Sequence, residues 1–204
     1  MKTSSDEFFI AEGDPRSKQE ILRCALHLFV RDGLCETSIR DIAQGSGYTN
    51  PALYKFFESK NALALHLFER CYLRLVSVIG ASQQRSSSFE KNLDVLLAAY
   101  GQLVDESLEC VLYVNDTLRL FWPKLPQSVR RRSLVDTIRV LLEHGVVEGA
   151  IDRDTDLDLA VGLMLGAMAQ VARMAYFGEV KGPISNRVAA LNALFRGGLM
   201  RNTP

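Results

Sequence analysis

Residues 42–57, Ile-Ala-Gln-Gly-Ser-Gly-Tyr-Thr-Asn-Pro-Ala-Leu-Tyr-Lys-Phe-Phe, constrain this chain more than any other stretch. Ala43 is small enough for two helices to cross closely, and Gly47, four residues later, takes the positive φ of a tight turn without steric cost. Leu53, six residues further on, returns one apolar side chain to a core. A small residue, a glycine and an apolar anchor in that order predict two short helices hinged on a turn. Such a helix-turn-helix can lay its second helix in the DNA major groove.

The flanking residues sharpen this reading. Thr37-Ser38-x-x-Asp41-Ile42-Ala43, then Gly47, then Leu53-Tyr54-x-Phe56-Phe57-x-x-Lys60-x-x-Leu63 closely resembles the DNA-binding domain of the tetracycline-repressor (TetR) family over roughly residues 15–75. Pro51 stands where the family often has Gly, Tyr48 where a small aliphatic is usual, and Phe56 where His is common. These departures bear on which operator is read. The resemblance implies an all-α protein: a helix-turn-helix domain over 15–63, a linking helix over 59–80, and an effector-binding and dimerisation domain over 81–204. It further implies a homodimeric transcriptional regulator of double-stranded operator DNA, most simply a repressor released by a small hydrophobic effector.

Chemistry assigns roles along the second helix. Asn50 suits the N6/N7 edge of adenine, the methyls of Thr49 and Ala52 suit thymine methyls, and Lys55 can reach guanine or phosphate. The hydroxyls of Tyr54 and Thr37 suit phosphate, and Lys60 stands at the start of the next helix, where backbone amides also favour an anion. The resemblance places DNA contacts on these positions, with Ser38 and Pro51 beside them. Tyr48 is either a groove-edge hydroxyl or turn packing. Phe56 and Phe57 read as core. Net charge over the whole chain is zero, but no acid occurs from Ile42 to Phe57, which suits a surface facing phosphate.

Apolar residues recur at helical spacing nearly throughout. Helices are expected over 16–32, from Thr37 or Ser38, from Thr49, and from Ser59 to about Gly80. A polar linker is expected over 82–88, an amphipathic face from Phe89 to Val104, a helix over 108–121, and another over 127–148. Thr155 is expected to cap a helix over about 156–177, with Asp158 three residues on, and a last helix runs over about 184–200. Asp152 to Asp158 imitates a calcium loop, but Leu157 and Leu163 occupy the positions that need Gly and Glu. The longest uncharged stretch, Leu159–Ala172, is 14 residues, shorter than a bilayer span.

Gly162-x-x-x-Gly166 lets another helix approach closely. With Leu191 and Phe195 of the last helix it makes the expected dimer surface, since in the resembled family the last two helices form a four-helix bundle with the partner's. Tyr100, Leu103, Cys110, Tyr113, Asn115, Phe121 and Trp122 either line an effector pocket or serve as core. Arg130-Arg131-Arg132 reads as a solvated face.

Four cysteines, at 24, 35, 71 and 110, lack zinc spacing and imply no disulfide framework, which fits a reducing cytoplasm. They read as small buried hydrophobes, with a redox-gated repressor using Cys71 or Cys110 as the alternative. No signal peptide, membrane partner, cofactor, metal site or catalytic motif is expected. A helical enzyme or cofactor-binding bundle and a ligand-free DNA binder are the remaining readings.

Overall fold

The computed structural model describes residues 8–81, 88–131 and 133–199. Most of the expected linker, residues 82–87, and Arg132 lie outside the described residues. The described residues form helices joined by turns and loops, without a strand: α1 Arg16–Arg31, α2 Ile39–Ser46, α3 Asn50–Tyr54, α4 Lys60–Ala81, α5 Phe89–Phe121, α6 Gln127–Arg130, α7 Leu134–Val147, α8 Leu157–Tyr176 and α9 Val188–Leu199.

The chain divides into two compact units. The first comprises residues 1–74 and 112–125, the second residues 75–111 and 126–204. The segment Leu112–Leu125, expected in the second domain, therefore clusters with the first.

In the first unit, Ile21, Leu22, Ala25 and Phe29 of α1, Ile42 and Ala43 of α2, Leu53 of α3 and Leu63, Leu67, Phe68 and Cys71 of α4 are all buried. The end of α5 completes this core. Tyr113 stacks on Phe29 with centroids 5.8 Å apart, and its hydroxyl donates to the Ala64 carbonyl at 2.9 Å. Phe121 packs against Phe68 at 5.5 Å, and Trp122 meets Tyr72 edge-on at 5.3 Å. Phe57 is buried as expected, whereas Phe56 is only half-buried, with the Lys55 ammonium 6.0 Å from its ring centroid.

His66 sits 5.4 Å from the Phe57 ring. Burial lowers its pKa below 6.5, and the nearby cations Lys18 and Arg70 lower it further against the opposing pull of Asp14. A histidine held neutral in the fold contributes stability that is full above pH 6.5 and is lost progressively as pH falls from there towards the depressed folded value. The melting temperature of the wild type should therefore fall more than that of His66→Gln between pH ~7.5 and pH ~5.5. Equal falls would remove His66 from the acid sensitivity.

In the second unit, the Tyr100 hydroxyl donates to the Met168 carbonyl at 2.5 Å, tying α5 to α8. Asp105 accepts from the backbone N–H groups of Ile184 and Ser185, and Gly101 lies where a Cβ would meet Val188 and Ser185, so the chain entering α9 seats directly on α5. Arg196 pairs with Glu90 and Asp94, holding α9 on the first turns of α5.

Several expectations need correction. The helices over 89–104 and 108–121 are one, α5, kinked at Ser107, where φ −143° and ψ 44° are non-helical. The helix over 127–148 is two, because Ser133 accepts from the Asp136 N–H and starts α7 afresh. Asp156, not Thr155, caps α8, since its carboxylate reaches the N–H groups of Asp158 and Leu159. Cys71 and Cys110 are buried, so neither presents its thiol to an oxidant; Cys35 is the exposed cysteine. Finally, α8 has the length and apolarity to cross a membrane, although its longest uncharged stretch does not. Its Ala160, Val161, Met164, Met168 and Ala172 are buried inside the second unit, while Leu159 and Leu163 remain 72% and 58% exposed.

Candidate nucleic-acid interface

The start of α2 is fixed by a reciprocal cap. Ser38 Oγ accepts from the Asp41 N–H, while Asp41 accepts from the Ser38 N–H at 2.8 Å and from its hydroxyl at 2.6 Å. These bonds hold the Asp41 carboxyl below the usual carboxylate range, with the Ser38 hydroxyl the largest influence. The helix ends at Gly47, whose φ of 77° is the left-handed conformation anticipated for the turn. Tyr48 N–H donates back to the Ala43 carbonyl at 2.9 Å, closing the helix end.

From this turn α3 departs in a set direction. Thr49 is its N-cap by backbone conformation, φ −104° and ψ 157°, but its side chain makes no capping bond. Pro51 fits in the first turn, where no intrahelical N–H is required. Leu53 is fully buried and anchors the helix, which leaves Thr49, Asn50, Pro51, Tyr54 and Lys55 exposed and Ala52 half-buried. Tyr48 is half-buried, compatible with either of its two roles. The exposed face thus joins a carboxamide, two hydroxyls and an ammonium, the groups that pair with base edges and phosphates, on a short rigid helix.

Two predicted contacts are placed otherwise. Thr37 is buried, and its hydroxyl donates to the Gly33 carbonyl at 2.8 Å and the Leu28 carbonyl at 3.3 Å. Lys60 donates from Nζ to the backbone carbonyls of Leu34, Cys35 and Thr37. Both side chains are engaged inside the fold. Ser38 is exposed but occupied with its cap.

The other predicted sites fare unevenly. Tyr100, Leu103 and Cys110 belong to the second unit, whereas Tyr113, Asn115, Phe121 and Trp122 belong to the first, where Tyr113 and Phe121 serve as core. Phe195 is buried within its own unit, so its side chain is not offered to a partner. Leu194, 74% exposed, is the large apolar residue that α9 presents instead. Gly162 and Gly166 are exposed with open space around them, and Leu191 is half-buried.

Residues 21–67, spanning α1 to the first turns of α4, match the family of bacterial regulatory proteins of the tetR family. The chain is similar to the HTH-type transcriptional repressor KstR2 of Mycolicibacterium smegmatis, 29% identical over 154 residues that cover 70% of this chain and 71% of the relative. Its fold is similar to that of the ketosteroid transcriptional regulator KstR2 of Mycobacterium tuberculosis, with TM-score 0.79 and 21% identity over 94% of this chain and 98% of that one. It is also similar to that of the transcriptional regulator FadR from Bacillus subtilis in complex with stearoyl-CoA, with TM-score 0.68 and 14% identity over 89% and 99%. With the helix-turn-helix in place, residues 21–67 are a DNA-binding domain of the tetR family, and the protein is a DNA-binding transcriptional regulator similar in sequence and fold to repressors of that family.

Proposed function

We propose that the protein is a homodimeric repressor that grips a palindromic operator through α3 of each subunit and is released by a small hydrophobic effector. The observation that carries the DNA half is the exposed face of α3, with Thr49, Asn50, Tyr54 and Lys55 set outward by the buried Leu53. Two copies of that helix must meet half-sites one helical turn apart, or a multiple of it, so a shift of a few ångström in their separation is enough to break register. A ligand achieves this only if it binds one arrangement better than the other.

Asn50 is the base-reading residue in this proposal. Asn50→Ala should lose discrimination at one base pair, about 1–3 kcal/mol, while retaining affinity for unrelated DNA. Binding of the operator by Asn50→Ala with wild-type affinity and specificity would withdraw that role.

For the effector, the FadR structure holding stearoyl-CoA and the ketosteroid regulator support a fatty-acyl or steroid-like compound. Operator release by stearoyl-CoA, followed by fluorescence anisotropy of labelled DNA, tests the acyl class directly. Retention of the operator with the acyl-CoA in large excess would exclude that effector. The redox alternative would have to act through Cys35, the exposed thiol, and operator release by oxidant that disappears in Cys35→Ser would favour it.

A further inference from the structure

One side chain ties the first residue of α4 to the loop that launches α2. Lys60 Nζ donates to the carbonyls of Thr37 at 2.7 Å, Leu34 at 2.8 Å and Cys35 at 3.4 Å. An ammonium has three N–H donors and no acceptor, so three carbonyls converging on one nitrogen use its whole capacity inside the fold. The same loop is closed from within. Gly33 reverses the chain with φ 94°, Thr37 N–H donates to the Gly33 carbonyl at 3.2 Å, and the Thr37 hydroxyl donates to Gly33 and Leu28. Ser38, the next residue, caps α2.

We propose that Lys60 is a positioning residue for DNA binding. It pins the loop 34–37 to the start of α4 and so sets where α2 begins and, through the Gly47 turn, where α3 points; it does not contact operator phosphate. The proposal rests on the DNA-binding reading above. Its chemistry requires an ammonium: the planar guanidinium of arginine spreads its donors across a fork and cannot direct three of them from one nitrogen. A phosphate contact has the opposite preference, because arginine binds phosphate at least as well as lysine. A displacement of the first turn of α4 would carry the start of α2 with it.

The test compares Lys60→Met, which keeps an apolar stem of similar length and removes the donors, with Lys60→Arg, which keeps the charge. Operator affinity is measured across a salt series and normalised to folded protein. Lys60→Met should bind at least about tenfold more weakly, the size of effect expected for losing bonds to a charged donor, with the salt dependence unchanged. Lys60→Arg should fail to restore affinity. Thr37→Val should also weaken binding, and its combination with Lys60→Met should be less than additive, since both loosen one loop. Hydrogen exchange should show the Thr37 and Asp41 amides losing protection in Lys60→Met.

Three results would overturn the proposal. A salt slope reduced by about 0.9 in Lys60→Met, with affinity restored by Lys60→Arg, assigns a phosphate contact instead. Wild-type affinity per folded molecule, with only a lowered melting temperature, assigns a role in stability alone. A wild type without sequence-specific binding would overturn the DNA reading itself and this proposal with it, a failure visible before any variant is made.

Discussion

Gly166→Arg is expected to leave each chain folded and to abolish the proposed dimer. Gly162 and Gly166 stand on the exposed side of α8 with Leu159 and Leu163, at the i, i+3, i+4, i+7 spacing of a single helix face. A side chain built at Gly166 meets nothing within 4 Å, so the isolated subunit accommodates arginine. If this face is the proposed partner surface, the guanidinium must be desolvated without a counter-charge there, a penalty of about 3–5 kcal/mol, or at least a hundredfold weaker association. Light scattering should report a monomer while circular dichroism and the unfolding midpoint of the monomer stay close to those of a wild-type subunit. An unaltered dimer would move the interface off α8.

Phe68→Ala carries the second large effect. Phe68 is fully buried, with Tyr72 5.8 Å away and Phe121 at 5.5 Å, so its removal leaves a void between α4 and the end of α5. The expected cost is about 3–5 kcal/mol, enough to unfold much or all of the first unit and with it operator binding. Trp122, the single tryptophan, packs on Tyr72 beside this void, so its emission should follow the same transition. If Trp122 emission and the α1–α3 amides instead melted in separate steps, residues 112–125 would not share a cooperative core with the helix-turn-helix.

The helix-turn-helix was readable because its signals are local. The Ser38–Asp41 cap and the positive φ at Gly47 are each set within a few residues, and Leu53 needs only a core to enter. What escaped the sequence depends on partners far along the chain. Nothing local marks Gly45, yet a Cβ there would stand 2.7 Å from Cys24 Sγ, making it a close-approach glycine between α1 and α2. Lys60 resembles a solvent-facing lysine until the carbonyls of residues 34, 35 and 37 fold onto it. Phe195 and Leu194 differ by one position, a 100° turn of the helix. Helical periodicity did not decide which of them packs on its own unit and which faces outward. At the start of α8 adjacent residues compete for the cap, and it is Asp156 rather than Thr155 whose side chain accepts from the Asp158 and Leu159 N–H groups.

Selection of bound duplexes from a random DNA library measures whether α3 reads a two-fold-symmetric operator. An enriched palindrome is expected, with half-sites centred one helical turn, or a multiple of it, apart, and with loss of a specific base preference at the same place in both halves when Asn50→Ala is used. Enrichment of no sequence by the folded wild type, or of an asymmetric site unaffected by changes in α3, would overturn this reading of α3.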